Sequence, residues 1–131
     1  MSKGAMLQPY ELVVKKVLPT IRAKLAQSLL DDYDLRQVEV AEKLGITQAA
    51  VSHYNTHTRG ADQTIIQMFP EIKKFVEELA KDIVEGIPKQ QQVARMNTIS
   101  WQLMYTERFC NYHRRIADLE DCNVCYEPVP Q

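Results

Sequence analysis

The chain carries three cysteines in 131 residues, and all of them fall between positions 110 and 125. Cys110-Asn-Tyr-His113 is followed, after eight residues, by Cys122-Asn-Val-Cys125. Residues at i and i+3 of a helix share one face, and a C-x-x-C turn can bring two more thiolates to the same centre. Cys110, His113, Cys122 and Cys125 therefore make a Cys3His set suited to a closed, structural Zn2+ site, which would pin a tail with little apolar content after Ile116. Three thiolates and an imidazole can also hold an iron–sulfur cluster, although the spacing is not that of a ferredoxin run. A metal-free Cys122/Cys125 dithiol switch and three unrelated thiols remain alternatives. An odd cysteine count argues against a disulfide framework.

Enzyme chemistry finds little footing. The four glycines form no phosphate-cradling loop, and there is no nucleophile elbow or H-E-x-x-H. Cys110 and His113 are one turn apart beside two further cysteines, so ligation explains them more simply than nucleophilic catalysis. No catalytic residues are expected.

These groups must be positioned by a small scaffold. With 45% hydrophobic and 25% charged residues and a net charge of −1, the composition is that of an ordinary globular domain, and disorder and collagen are excluded. No stretch approaches the ~20 apolar residues of a membrane span. Lys3 is followed by Gln8, Glu11, Lys15 and Lys16 rather than by an apolar leader, which leads to the expectation of a cytoplasmic protein.

Apolar residues recur at helical spacing throughout, and no segment alternates with period two, so the expected fold is all-α. Residues 1 to 7 lack periodicity and read as a frayed terminus. Pro9 and Pro19 suggest two helices split near Leu18. Asp34, with Gln37 three residues on, reads as the capping box of a third helix, which Gly45 ends. Thr47 is the next N-cap, opening a helix from Gln48 to Tyr54. After a polar loop at 55 to 62, Ile72, Phe75, Val76, Leu79 and Ile83 form an apolar stripe on a helix that should stop at Gly86. A last long helix is expected over residues 91 to 109. The division expected is 8 to 86 for the first unit and 87 to 131 for a C-terminal helix with the cysteine tail.

Two short helices meeting across Gly45-Ile46-Thr47 form a helix-turn-helix, whose second helix can lie in the DNA major groove. Ala41 is small enough for the helices to cross closely, and Val40, Leu44, Ile46 and Val51 are spaced to pack between them. The eighteen residues QVEVAEKLGITQAAVSHY (Gln37 to Tyr54) resemble the helix-turn-helix of the Cro and lambda-repressor type, the XRE family, especially its archaeal members. The small residue at the fifth position, Gly at the ninth and Val at the fifteenth match that pattern, and the likeness extends over roughly residues 19 to 80. The following loop, Asn55 to Gly60, departs from it. Some archaeal regulators of this general kind look similar in carrying a Cys-rich tail.

The resemblance implies a lambda-repressor-like DNA-binding domain; with the long C-terminal helices read from periodicity and the small metal-binding tail read from cysteine spacing, this is the fold expected. It implies that the start of the second helix faces base edges. Gln48 then suits bidentate pairing with adenine, Ala49 can touch a thymine methyl, and Ser52 and His53 lie one turn on. Gln37 would contact phosphate and brace Gln48, while Thr47, Asn55 and Arg59 are backbone-contact candidates. Residues 1 to 60 hold eight basic and six acidic residues, residues 61 to 131 eight and eleven, so attraction to phosphate from one copy should be modest. A homodimer reading a roughly palindromic double-stranded operator is expected, with Trp101, Met104, Tyr105 and Phe109 as candidate interface residues, the alternative for them being packing within one chain. The competing readings are an antitoxin-like interaction module built on the same motif and a thiol redox protein.

Overall fold

The computed structural model describes residues 6–57 and 62–119, with side chains through Tyr54 and again from Asp62. All regular structure among the described residues is helical: α1 (Pro9–Leu12), a π turn (Val13–Val17), α2 (Leu18–Asp31), α3 (Gln37–Leu44), α4 (Gln48–His57), α5 (Gln63–Met68), α6 (Glu71–Val84), α7 (Lys89–Met104) and α8 (Glu107–Ala117). Among the described residues no helix is long and apolar enough to cross a membrane.

The expected break near Leu18 is instead a widened turn in a helix that continues from Pro9 to Asp31. Pro19 has no N–H to offer the preceding turn, and Leu18 N–H donates to Val13 O, five residues back. The Thr20 hydroxyl donates to Lys16 O at 2.7 Å, which satisfies one of the loosened carbonyls. Thr20 Oγ1 also accepts from Asp62 N at 3.1 Å, tying this turn to the start of α5.

Beyond the turn, α2 carries Ile21, Leu25, Ala26 and Leu29 into the interior and packs on α3, α4 and α6. The α6 stripe behaves as its spacing requires: Ile72, Val76, Leu79 and Ile83 are buried, and the chain turns at Gly86 with φ +96°. One buried apolar cluster runs from Leu7 to Ala117 and takes in Ile99, Leu103, Met104, Phe109 and Tyr112 from the last two helices. Leu7, read from sequence as part of a frayed end, is a member of this core.

Two boundaries differ from the sequence reading. The helix expected over 91 to 109 is interrupted at Tyr105 and Thr106, because the Thr106 side chain caps α8, accepting from Phe109 N at 3.2 Å and donating to Leu103 O at 2.7 Å. The bend carries Phe109 inward against Phe69, with ring centroids 6.1 Å apart. The capping box at Asp34 is also not formed. Asp34 has φ +54°, whereas an N-cap needs extended backbone; Arg36 supplies that at φ −77°, ψ 157°. Glu39 reaches back to Arg36 N at 3.0 Å, and this backbone hydrogen bond, with one from the Arg36 side chain, holds its carboxyl below the ordinary range.

Arg108 fastens α8 to α6. Its guanidinium donates to both Glu71 oxygens at 2.8 and 2.5 Å and to Met68 O at 3.1 Å, and it lies over the Phe69 ring. The Arg108 hydrogen bonds hold Glu71 below the usual carboxylate value of 4.5. A lowered folded-state pKa stabilises above the unfolded value, and that stabilisation is lost as pH falls through the folded value. Glu71→Gln is therefore expected to cost about 0.5–1 kcal/mol near pH 7, discounted for the exposure of both partners, and almost nothing near pH 3. Urea denaturation at the two pH values checks this.

Candidate nucleic-acid interface and metal ligands

The pairing of α3 with α4 is built from small and β-branched residues. Val40 and Val51 are fully buried, Ala41 is 7% exposed, and Leu44, Ile46 and Tyr54 pack against them from the edge of the core. The turn between the helices depends on Gly45, which has φ +68° and ψ 33°. That left-handed conformation lets Ile46 N–H return to Ala41 O at 3.0 Å, closing the end of α3. A side chain at Gly45 would meet nothing within 4 Å, so its cost is confined to the backbone. Gly45→Ala is expected to lose about 1 kcal/mol in chemical denaturation, and Gly45→Asn less.

Thr47 caps α4, its hydroxyl oxygen accepting from Ala50 N at 3.0 Å while its proton remains available to an acceptor outside. Thr47, Gln48 and Ala49 are exposed; Gln37, Ser52 and His53 are half-buried. The turn and the first residues of α4 thus project from the body, and Val51 anchors them below. The opening backbone N–H groups of α4 add a partial positive charge to this edge. Asn55 lies within the α4 backbone, and Arg59 lies outside the described residues. The other end of α4 is held by Gln27, whose side chain donates to Tyr54 O at 3.4 Å.

Of the four expected metal ligands, Cys110 and His113 share the buried face of α8, at 1% and 4% exposure. His113 Nε2 lies 2.6 Å from Leu7 O. A carbonyl only accepts, so Nε2 is the donor to it. Nδ1 is buried with no hydrogen-bond partner among the described residues. A ring oriented by a backbone carbonyl through one nitrogen, with the other basic, is the usual state of a ligating histidine. Cys122 and Cys125 lie outside the described residues, and among those described no group of three metal-binding side chains occurs.

The interface candidates separate. Met104 and Phe109 are buried within the chain's own core, which corrects their assignment to a contact with a second copy. Trp101 and Tyr105 are 48% and 51% exposed and stack on each other with ring centroids 5.5 Å apart. Trp101, Tyr105 and Phe109 are four residues apart and would share one face of a single long helix, and the Thr106 cap redirects Phe109; Met104, one residue off that line, faces the core.

Compared with protein-family profiles, curated proteins and solved structures, the chain finds no match.

Proposed function

We propose that the protein is a sequence-specific DNA-binding regulator of the helix-turn-helix type, reading double-stranded DNA with the start of α4. The observation that carries this reading is the exposure of Thr47, Gln48 and Ala49 on a helix seated by a buried Val51 and preceded by the left-handed Gly45 turn. A solvated helix needs none of these constraints; a helix presented to a groove needs its first turn clear and its base fixed. Gln48 then offers its amide to adenine, Ala49 its methyl to thymine, and Thr47 a hydroxyl to phosphate. With little net positive charge, affinity comes from pairing two copies across a near-palindromic site, and the exposed Trp101–Tyr105 stack is the proposed contact between them.

The second element of the proposal is a metal centre. Cys110 Sγ and His113 Nδ1, with Cys122 and Cys125, would hold Zn2+, or alternatively an iron–sulfur cluster. The oriented His113 ring, whose Nδ1 has no partner among the described residues, supports this set. Such a centre would fix the chain end against α8 and the N-terminal segment at Leu7.

Selection from a random duplex pool, followed by mobility shift, tests the first element. A preferred, roughly symmetric site is expected; absence of any sequence preference at modest salt overturns the reading in favour of a protein-interaction module. Metal analysis and visible absorption of anaerobically purified protein test the second. Stoichiometric zinc or a brown chromophore supports it, and metal-free protein with a reversible disulfide overturns it.

A further inference from the structure

A groove of about 730 Å3 opens between the N-terminal helix and α7; neither the DNA-reading edge nor the metal ligands use it, and Trp101 of the proposed contact between copies stands on its rim. Its size falls within the roughly 300–1,000 Å3 of small-molecule sites. The base is apolar, formed by Val13, Leu25, Leu79 and Met104, all buried. The rim is apolar as well: Tyr10, Val14, Val93 and Trp101 line it and are 48 to 69% exposed. These are half of the eight large apolar side chains exposed among the described residues, so the rim is a concentrated patch rather than scatter.

The polar part of the lining has one sign of charge. Among the described residues no carboxylate lines the groove, and Arg22 is the single charged residue there, exposed and without an ion pair. Gln92, Asn97 and Ser100 add neutral hydrogen-bonding groups along the α7 side. An apolar body with one negative group matches this distribution, since the acidic group gains a charge-assisted hydrogen bond to Arg22 that a neutral ligand lacks, and a cation would meet repulsion.

One end of the groove is made by Leu44, Gly45, Ile46 and Tyr54, the turn and the helix end that set the direction of α4. Gln92, on α7 at this same end, donates to Lys43 O at 3.0 Å and ties α7 to the last turn of α3. A molecule lying here touches both α7 and the support of α4.

We propose that this groove binds a small amphipathic organic anion, with its apolar body between Tyr10, Val14, Val93 and Trp101 and its acidic group on the Arg22 guanidinium. The site does not depend on the DNA-binding reading; the role of its ligand as an effector does.

The test titrates the full chain with the fluorescent aromatic anion 1-anilinonaphthalene-8-sulfonate and with its neutral relative N-phenyl-1-naphthylamine. Arg22→Gln and Val93→Asp, both at exposed positions, are compared with the parent after circular dichroism shows the same fold. Saturable binding of one sulfonate per chain is expected. Arg22→Gln should weaken it about ten-fold or more while changing the neutral probe less than about two-fold, and Val93→Asp should weaken the sulfonate as well. Non-saturating binding, or a sulfonate affinity indifferent to Arg22, overturns the site. So does sedimentation showing that Val93→Asp splits a dimer and uncovers sulfonate binding absent from the parent, because the groove is then occupied by a second copy. Sulfonate binding that leaves duplex affinity unchanged overturns the effector role and leaves the site standing.

Discussion

Truncating Phe109 to alanine is expected to lower the stability of the folded chain by about 3–5 kcal/mol, the range for removing a fully buried aromatic side chain. Phe109 is 0% exposed, and its ring meets Phe69 on one side and, edge-on at 6.4 Å, Tyr112 on the other. The loss combines the transfer of the ring to water with the cavity left behind, which surrounding packing closes only in part. Against a typical total of 5–15 kcal/mol, roughly a fifth or more of the stability should disappear, with a fall in Tm of roughly 10–20 °C. The measurement separates two roles for this residue. As a core residue, Phe109→Ala destabilises by the same amount at every protein concentration; at a dimer contact, the loss would depend on concentration. Denaturant unfolding across a hundred-fold dilution series checks it, and concentration-independent loss is the expected outcome. Trp101→Ala serves as the contrast, with a small effect on the isolated fold and a larger one on association.

The second large effect concerns Gln48. Gln48→Ala is expected to weaken binding to the selected duplex by about 10- to 100-fold, the discrimination carried by a bidentate side-chain contact to one base. Stability should change by less than about 0.5 kcal/mol, because Gln48 is exposed and caps nothing. Two features make the test specific. The preference for adenine at one position in each half-site should relax, and the dependence of affinity on salt should stay the same, since a neutral side chain releases no counterions. Titration of parent and variant against duplexes altered at single positions, at two salt concentrations, reads both. Equal affinity of parent and variant for every duplex would remove Gln48 from the interface and with it the assigned reading edge.

The legible parts of this fold are those fixed within one or two helical turns. The stripe from Ile72 to Ile83 could be read as a buried face because its spacing admits one orientation. The turn at Gly45 could be read because a left-handed residue following Leu44 is strained for any side chain but glycine. The boundaries that were misread involve competition between neighbours. Asp34 and Arg36 both stand near the start of α3, and the backbone left-handedness of Asp34 gives the cap to Arg36, with Glu39 in support. Thr106 lies inside a continuous apolar pattern, and the pattern alone does not say whether its hydroxyl will turn back on the chain. Leu7 was unreadable because its partner, His113, is 106 residues away.

By itself the sequence determined the helical class, the α3 and α4 pair with its glycine turn, and the gathering of thiol and imidazole groups near the end, because local spacing and residue type carry that information. Tertiary structure alone decided that Phe109 and Met104 face inward while Trp101 and Tyr105 stay outside. It also set the Nε2-protonated form of His113 through a distant carbonyl, and it opened an apolar groove beside Arg22. Each of these depends on where a helix bends or which remote segment packs against it, and burial of that kind is a property of the assembled core rather than of any stretch of chain.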